Sequence, residues 1–219
     1  MNKRSKKNLP LSVAILVGGK SSRMGEPKAW LEIENKPIIN RTIEIANRIT
    51  NELIIVSSED YKPFDTLKTK IVTDQIKGKG PLMAIFTALQ SISNSHCLIL
   101  ACDLPFITER ILIEMGRKIG SHDAVVPLTN NGFEPLCAIY AQSCSSPIES
   151  RINQNKLSVH RMFSELNIYP FTEWSRFDPS GNIFLNMNTQ DDYQKARQIL
   201  AKSSSQLFSI ILMFEHSML

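Results

Sequence analysis

Short runs of continuously apolar residues alternate along the chain with longer segments in which apolar residues recur every three or four positions. Runs of the first kind are typical of strands buried on both faces, and segments of the second kind are typical of amphipathic helices. The short runs predict strands at Leu11–Val17, Glu52–Val56, Ile71–Val72, Cys97–Ala101, Ala124–Pro127 and Leu136–Tyr140. The alternation predicts an α/β fold.

The helical segments begin at residues suited to a helix start. Pro37 fits a first turn, Thr108 fits an N-cap, and Thr189 with Asp192 fits a capping box. The predicted helices cover Pro37–Ile49, Pro81–Ile92, Thr108–Ile119, Pro147–Asn153, Ser158–Leu166 and Thr189–Lys202. Strands that alternate with helices predict a single Rossmann-like domain with three layers, in which helices cover both faces of a mostly parallel central sheet.

The two ends of the chain differ from the part between them. Residues 1–9 form a basic segment that predicts a disordered tail, residues 10–202 carry the predicted domain, and residues 203–219 form a C-terminal tail to which we assign no role. The net charge of the 219-residue chain is +4, and four basic residues of the N-terminal tail carry an equal charge. The remainder is close to neutral, which argues against nucleic acid as a partner.

The apolar stretches do not indicate a membrane protein. Residues 207–214 are too few to span a bilayer, which takes about 20 residues. The apolar stretch Leu9–Val17 is followed by a glycine-rich segment rather than by a signal-peptide cleavage site. We therefore expect a cytoplasmic protein. Its cysteines form no Cys-x-x-Cys pair and predict buried free thiols: Cys97, Cys102, Cys137 and Cys144.

A loop rich in glycine and basic residues follows the first predicted strand. It reads Gly-Gly-Lys-Ser-Ser-Arg-Met-Gly-Glu-Pro-Lys at residues 18–28. Consecutive glycines let backbone N–H groups approach an anion, and the carboxyl end of a strand is where open α/β sheets bind ligands. The loop is not a P-loop, because Ala14 occupies the position of its first glycine. It is not the dinucleotide fingerprint either, because Lys20 replaces the second glycine. The loop favours a nucleoside triphosphate.

Five stretches taken in order resemble one known family. They are the loop itself, Val72–Asp74 ahead of Gly80-Pro81-Leu82, the segment Ala101–Phe106, the segment Glu134–Tyr140, and Phe184–Thr189. Together they resemble the molybdenum cofactor guanylyltransferases (MobA type) of the nucleotidyltransferase superfamily, over roughly residues 11–200. The resemblance implies transfer of GMP from GTP to the terminal phosphate of molybdopterin, with release of pyrophosphate. It also implies partner proteins that carry molybdopterin or receive the finished cofactor.

The resemblance assigns roles to particular residues. The implied catalytic residues are Arg23, Lys28 and Asp103, and Asp103 is the implied ligand of Mg²⁺, which prefers carboxylates, phosphates and water. The implied nucleotide-binding residues are Leu16, Val17, Gly18, Gly19, Lys28, Asp74 and Asp103. Asn186 and Asn188 are implied to face the second substrate or the metal. The attacking phosphate is already ionised, so no general base is expected.

Two other functions fit the same residues. One is a cytidylyltransferase that acts on molybdopterin or on a phosphorylated sugar alcohol. The other is a nucleotide-binding regulator without catalytic activity. The presence of both Lys28 and Asp103 argues against a regulator, because binding alone does not require alignment of a metal with a leaving group.

Overall fold

The computed structural model describes residues 9–18, 28–58, 67 and 69–201. Within these ranges the strands are β1 (Ser12–Val17), β2 (Glu32–Ile33), β3 (Lys36–Pro37), β4 (Leu53–Ser57), β5 (Lys70–Thr73), β6 (His96–Ala101), β7 (Ala124–Thr129), β8 (Gly132–Phe133), β9 (Cys137–Ala141) and β10 (Ile168–Phe171). The helices are α1 (Ile38–Ile49), α2 (Pro81–Ser91), α3 (Glu109–Gly116), α4 (Ser145–Asn153), α5 (Val159–Met162) and α6 (190–201).

Several sequence-based predictions concern residues outside these ranges. They are the basic tail over residues 1–8, the C-terminal tail over 203–219, and Gly19 and Arg23 of the glycine-rich loop. Their predicted roles stay predictions.

The central sheet has the order β10-β7-β9-β6-β1-β4-β5, and β8 pairs with β7 at one side. β1 pairs in parallel with both β4 and β6, β4 pairs in parallel with β5, and β10 pairs in parallel with β7. Only β9 within this order runs against its neighbours, since it is antiparallel to both β6 and β7. The prediction of a mostly parallel sheet is confirmed.

Helices cover both faces of the sheet. Val13, Ile15 and Val17 of β1 pack on one face with α1 and α3, whereas Ala14 and Leu16 pack on the other with residues of α2 and α4. All six residues of β1 are buried, which explains why the strand is continuously apolar rather than alternating. The predicted three-layer α/β architecture is confirmed.

The last helix, α6, lies against the first third of the chain. Met187 and Ala196 are fully buried together with Ile33 and Ile38. Tyr193 adds a polar contact, because its hydroxyl donates a hydrogen bond of 2.6 Å to the Glu32 carbonyl oxygen. These contacts hold the N-terminal end of α6 beside β2 and α1.

Three predicted helices have different ends in the structure. The helix predicted at Ser158–Leu166 is the short α5, which ends at Met162 and is followed by a 3-10 helix at Phe163–Glu165. Helix α3 ends at Gly116 and does not reach Ile119. A Cβ at position 116 would lie 2.8 Å from a methyl carbon of Leu9, so the Leu9 side chain would have to shift to make room for it. Glycine at this position also weakens the helix. Pro37 lies at the N-cap of α1 rather than in its first turn, because it pairs with Glu32 in the β2–β3 hairpin.

Three pairings that involve short or irregular strands were not predicted from the sequence. The β2–β3 hairpin turns through Glu34 and Asn35, whose φ angles are +52° and +58°, as a two-residue turn of this kind requires. β8 returns on β7 after a turn at Asn130 and Asn131. β10 contains Pro170, which a strand tolerates at the edge of a sheet.

All four cysteines are buried free thiols, as the sequence predicts. Burial raises the pKa of Cys102 and of Cys144 to about 12 in each case, so these thiols stay protonated at neutral pH. Among the helices of the described ranges, none has the length and apolar character needed to cross a membrane.

Candidate functional site

Three of the predicted site residues follow strands whose carboxyl ends lie at one edge of the sheet. Gly18 follows β1, Asp74 follows β5 and Asp103 lies two residues beyond β6. Backbone hydrogen bonds fix the ends of these strands, from Cys102 N–H to the Leu16 carbonyl (3.2 Å) and from Asp74 N–H to the Ser57 carbonyl (3.0 Å). This edge is where ligands bind in open α/β sheets.

The backbone at Gly18 accepts no side chain. Its φ angle is +148°, and a Cβ built there would lie 2.3 Å from the Ser58 hydroxyl oxygen. Any other residue would therefore carry a strained backbone and would displace the Ser58 side chain. Glycine at position 18 lets the chain leave the sheet close to the neighbouring strand.

A hydrogen-bonded cluster of three side chains lies at this edge. The Lys28 ammonium donates to the Asn188 carboxamide oxygen at 2.6 Å and to a carboxylate oxygen of Asp103 at 3.3 Å. The Lys28 and Asp103 side chains are 21% and 16% exposed. We call these residues the Lys28–Asp103–Asn188 cluster. It joins residues from the beginning, middle and end of the chain.

The main chain holds each member of the cluster in place. Lys28 is followed by the fully buried Ala29, and the Lys28 carbonyl accepts from Leu31 N–H at 3.2 Å. The Asp103 carbonyl accepts from Met187 N–H at 3.1 Å, which ties the turn after β6 to the segment before α6. Asn188 follows Met187 directly, so this hydrogen bond places the Asn188 side chain within reach of the Lys28 ammonium.

Burial raises the pKa of Asp103, and the nearby Lys28 ammonium opposes that shift. A carboxylate that has lost much of its hydration binds a cation more strongly than an exposed one does. Within the described ranges, no group of three or more His, Cys, Asp and Glu residues could hold a metal ion. Asp103 alone can supply one carboxylate, and a divalent cation there would take its other ligands from phosphates and water. Nucleotidyltransferases generally use such a divalent metal.

Asp74 lies in a separate part of this edge. Its half-buried carboxylate accepts a hydrogen bond of 3.0 Å from the Thr87 hydroxyl on α2. Burial raises the pKa of Asp74, and the Thr87 hydrogen bond opposes the shift. The described contacts of Asp74 are with α2 and the end of β4, not with the Lys28–Asp103–Asn188 cluster. Thr87 was not predicted from the sequence, although a lone threonine among the apolar residues of α2 was a signal for it.

The remaining predicted site residues differ in how close the structure brings them to the cluster. The Leu16 and Val17 side chains are buried in the core, and their carbonyl oxygens accept from Cys102 N–H and Ser58 N–H, so these two carbonyls are already engaged within the protein. Asn186 is half-buried, and its carboxamide donates to the Phe184 carbonyl at 3.4 Å. Of the two predicted asparagines, Asn188 is the one that the structure joins to Lys28.

Comparison with known proteins identifies the family of this chain. The family model described as the MobA-like NTP transferase domain matches residues 13–167. A probable molybdenum cofactor guanylyltransferase of Clostridium perfringens is 37% identical over 191 residues, which cover 84% of this chain and 94% of that protein. A protein with the same description from Methanothermobacter thermautotrophicus is 33% identical over 190 residues, covering 83% and 96% of the two chains.

Solved structures give the same result. The molybdopterin-guanine dinucleotide biosynthesis protein A of Archaeoglobus fulgidus superposes with a TM-score of 0.76 at 29% identity, covering 88% of this chain and all of that one. A CMP:2-keto-3-deoxy-manno-octonic acid synthetase complexed with CTP superposes with a TM-score of 0.67 at 13% identity, which shows a shared fold alone. The match of the family model over most of the chain, together with these relatives, shows that the chain belongs to the MobA-like NTP transferase family.

Proposed function

We propose that this protein is a molybdenum cofactor guanylyltransferase. It transfers GMP from GTP to the terminal phosphate of molybdopterin, or of its molybdenum-loaded form, and produces the guanine dinucleotide form of the cofactor. The Lys28–Asp103–Asn188 cluster at the carboxyl edge of the sheet is the observation that carries this proposal. Two relatives, at 33% and 37% identity, align with this chain over almost their whole length. Their names support the choice of GTP and molybdopterin.

The reaction requires positioning and charge neutralisation more than proton transfer. A terminal phosphate oxygen of molybdopterin attacks the α-phosphorus of GTP, the bond between the α-phosphorus and the bridging oxygen breaks, and pyrophosphate leaves with that electron pair. Mg²⁺, when bound, neutralises phosphate charge and draws electron density from the phosphorus. The acceptor oxygen is already ionised, which fits a site whose described core is a lysine, a carboxylate and an amide.

Each site residue takes part in that alignment. Asp103 would hold the metal, and Lys28, beside Asp103, would balance charge on the triphosphate. Arg23 stabilises the departing pyrophosphate. The backbone from Leu16 to Gly19 borders the nucleotide, Asp74 accepts from guanine or ribose donors, and Asn186 and Asn188 lie towards the second substrate.

The proposed setting is the cytoplasm. Four free thiols are buried in the described part of the chain, which suits a reducing compartment. Proteins that carry molybdopterin or receive the dinucleotide are the proposed partners.

A product assay tests the function directly. The protein is incubated with Mg²⁺, molybdopterin and either GTP or CTP, and pyrophosphate and the dinucleotide are measured. We expect both products with GTP and little of either with CTP. A cytosine dinucleotide formed at an equal or higher rate would favour the cytidylyltransferase alternative. Tight binding of GTP, with no release of pyrophosphate in the presence of any acceptor, would favour a regulator.

A further inference from the structure

The turn before α6 is organised by one carboxylate. A single oxygen of Asp192 accepts three hydrogen bonds, from Thr189 N–H at 2.9 Å, from the Thr189 hydroxyl at 2.8 Å, and from Asn188 N–H at 3.1 Å. The Thr189 hydroxyl in turn accepts from Asp192 N–H at 3.1 Å. The first and last of these bonds form the predicted capping box, and the bond to Asn188 N–H extends it into the site.

The charge on Asp192 suits this arrangement. Hydrogen bonds from the Thr189 side chain, and from the backbone of Thr189 and Asn188, hold the pKa of Asp192 below its ordinary value, although burial opposes them. The carboxylate also lies in the first turn of α6, where the helix dipole favours negative charge. Asp192 is therefore ionised at neutral pH and bonds the turn as a charged acceptor.

The other end of this turn reaches Lys28. The Asn188 side chain is exposed, so its direction depends on how the turn holds its backbone. Its carboxamide oxygen accepts from the Lys28 ammonium at 2.6 Å, a shorter contact than the 3.3 Å between Lys28 and Asp103. A small rotation of the Asn188 backbone would break that bond.

We propose that Asp192 is a positioning residue, which fixes the Asn188 backbone so that the Asn188 carboxamide holds the Lys28 ammonium beside Asp103. The inference rests on the proposed function, because it assigns a part in the same phosphate-binding site. Asp192 makes no described contact with Lys28 or Asp103, so it acts through Asn188.

The docking of α6 does not depend on this carboxylate alone. Met187 and Ala196 are fully buried against Ile33 and Ile38, and the Tyr193 hydroxyl bonds the Glu32 carbonyl. Loss of the Asp192 carboxylate therefore frees the turn at Asn188 while α6 stays docked. The expected effect is on the site more than on the fold.

The test compares five variants with the wild-type protein. Asp192→Ala removes the carboxylate, Asn188→Ala removes its target, and a double variant combines the two. Asp191→Ala is the matched control, because it removes the same charge from an adjacent exposed position of the same helical turn. The measurements are kcat and KM for GTP, with the melting temperature as a check that each variant is folded.

We expect Asp192→Ala to lower kcat/KM for GTP by about 10- to 100-fold, which is typical for residues that orient a ligand-binding group. Asn188→Ala should cost a similar factor, and the double variant should be little worse than either, because both changes break the same chain of contacts. Asp192→Glu keeps a carboxylate suited to a capping box and should recover most of the activity. Asp191→Ala should stay within about twofold of wild type.

Two results would overturn the inference. One is near wild-type kcat/KM in a folded Asp192→Ala variant, and the other is a double variant whose losses multiply. Calorimetric titration with GTP and Mg²⁺ separates this inference from the proposed reaction, because it needs no acceptor. If the wild-type protein transfers no GMP, the proposed function fails, whereas matched losses of GTP affinity in Asp192→Ala and Asn188→Ala still uphold the role of Asp192.

Discussion

At the scale of single residues, Asp103 is held in surroundings that disfavour its charge. Burial raises its pKa, and Lys28 only opposes that shift. A cation bound at the carboxylate would remove the conflict. The charged Asp103 side chain therefore lowers the stability of the ligand-free fold, and a bound cation would offset that loss.

Asp103→Asn should separate the cost of burying the Asp103 charge from the role of that charge in catalysis. Because the pKa is raised on folding, the folded protein keeps this proton to a higher pH than the unfolded chain does, so stability is lost as the pH rises through the folded pKa. We expect the variant to melt slightly above wild type at pH 7.5, with the difference shrinking towards pH 4. GMP transfer should fall at least about 100-fold, since a group that stabilises transition-state charge is lost.

Melting temperatures between pH 4 and 7.5 and an assay of pyrophosphate release would check both expectations. Asp191→Asn is the control, because its carboxylate is exposed. An Asp103→Asn protein that melts below wild type at pH 7.5 would show that the ion pair with Lys28 outweighs the cost of burial.

The sequence predicted the residue types of the site better than their contacts. Lys28 and Asp103 lie in local motifs next to a strand end, where a pattern of a few residues carries the information. The bond between Lys28 and Asn188 joins positions 160 residues apart, and no local pattern specifies such a pairing. For the same reason Asp192 was predicted as part of a helix cap and not as a partner of Asn188.

At the scale of secondary-structure elements, a carboxylate joins the amino ends of the central strands. Glu52, just before β4, accepts from the Ser12 hydroxyl of β1 at 2.5 Å, from Ser93 N–H at 2.9 and 3.1 Å, and from the Asn94 carboxamide at 2.8 Å. Burial alone would raise the pKa of Glu52, but these hydrogen bonds outweigh it and lower the pKa. This edge of the sheet is opposite the proposed active site.

Glu52→Gln should therefore lower stability without changing the chemistry. In the variant, a glutamine NH₂ group takes the place of one carboxylate oxygen of Glu52. That oxygen now accepts hydrogen bonds from neighbouring groups, among them the hydroxyl of the fully buried Ser12, and the NH₂ group cannot accept them. We expect a loss of about 1–3 kcal/mol in the free energy of unfolding at pH 7. Since the folded pKa is lowered, this contribution is complete above the unfolded pKa of about 4.3 and disappears as the pH falls through the folded pKa.

Urea unfolding at pH 7 and at lower pH would measure the change, with Glu149→Gln on the exposed face of α4 as the control. The turnover of the folded Glu52→Gln variant should match wild type. A stability loss that stays constant into acid would show that the Glu52 charge is not responsible.

Strands could be predicted from the sequence where their apolar run is long or where they are buried on both faces. β1, β4 and β6 form continuous apolar runs because neighbouring strands and helices surround them. β2, β3 and β8 have two residues each, too few to establish a period of two. β10 was missed because Pro170 argues against a strand unless its place at the sheet edge is known.

At the scale of the whole molecule, ligand binding should stabilise the single domain. GTP with Mg²⁺ at about 100 times its dissociation constant adds roughly 2.7 kcal/mol. For a domain of this size we expect a rise in melting temperature of about 5–10 °C. CTP at the same concentration should give a clearly smaller rise.

Thermal melts with each nucleotide, with and without Mg²⁺, would check this expectation. ATP serves as a second purine nucleotide with a different hydrogen-bonding edge. A rise with CTP equal to that with GTP would contradict guanine preference, whatever the acceptor.

The contact between Lys28 and Asn188 also bears on how the protein is made. A ribosome adds about 5–20 residues per second, so roughly 8–30 seconds separate the synthesis of these two residues. The strands β1, β4, β5 and β6 are complete by residue 101, and a nascent chain can pair them long before α6 exists. Lys28 gains its Asn188 partner only after the chain has been synthesised beyond residue 188. An incomplete chain that stalls before residue 188 therefore lacks the complete cluster, even if its central sheet has already formed.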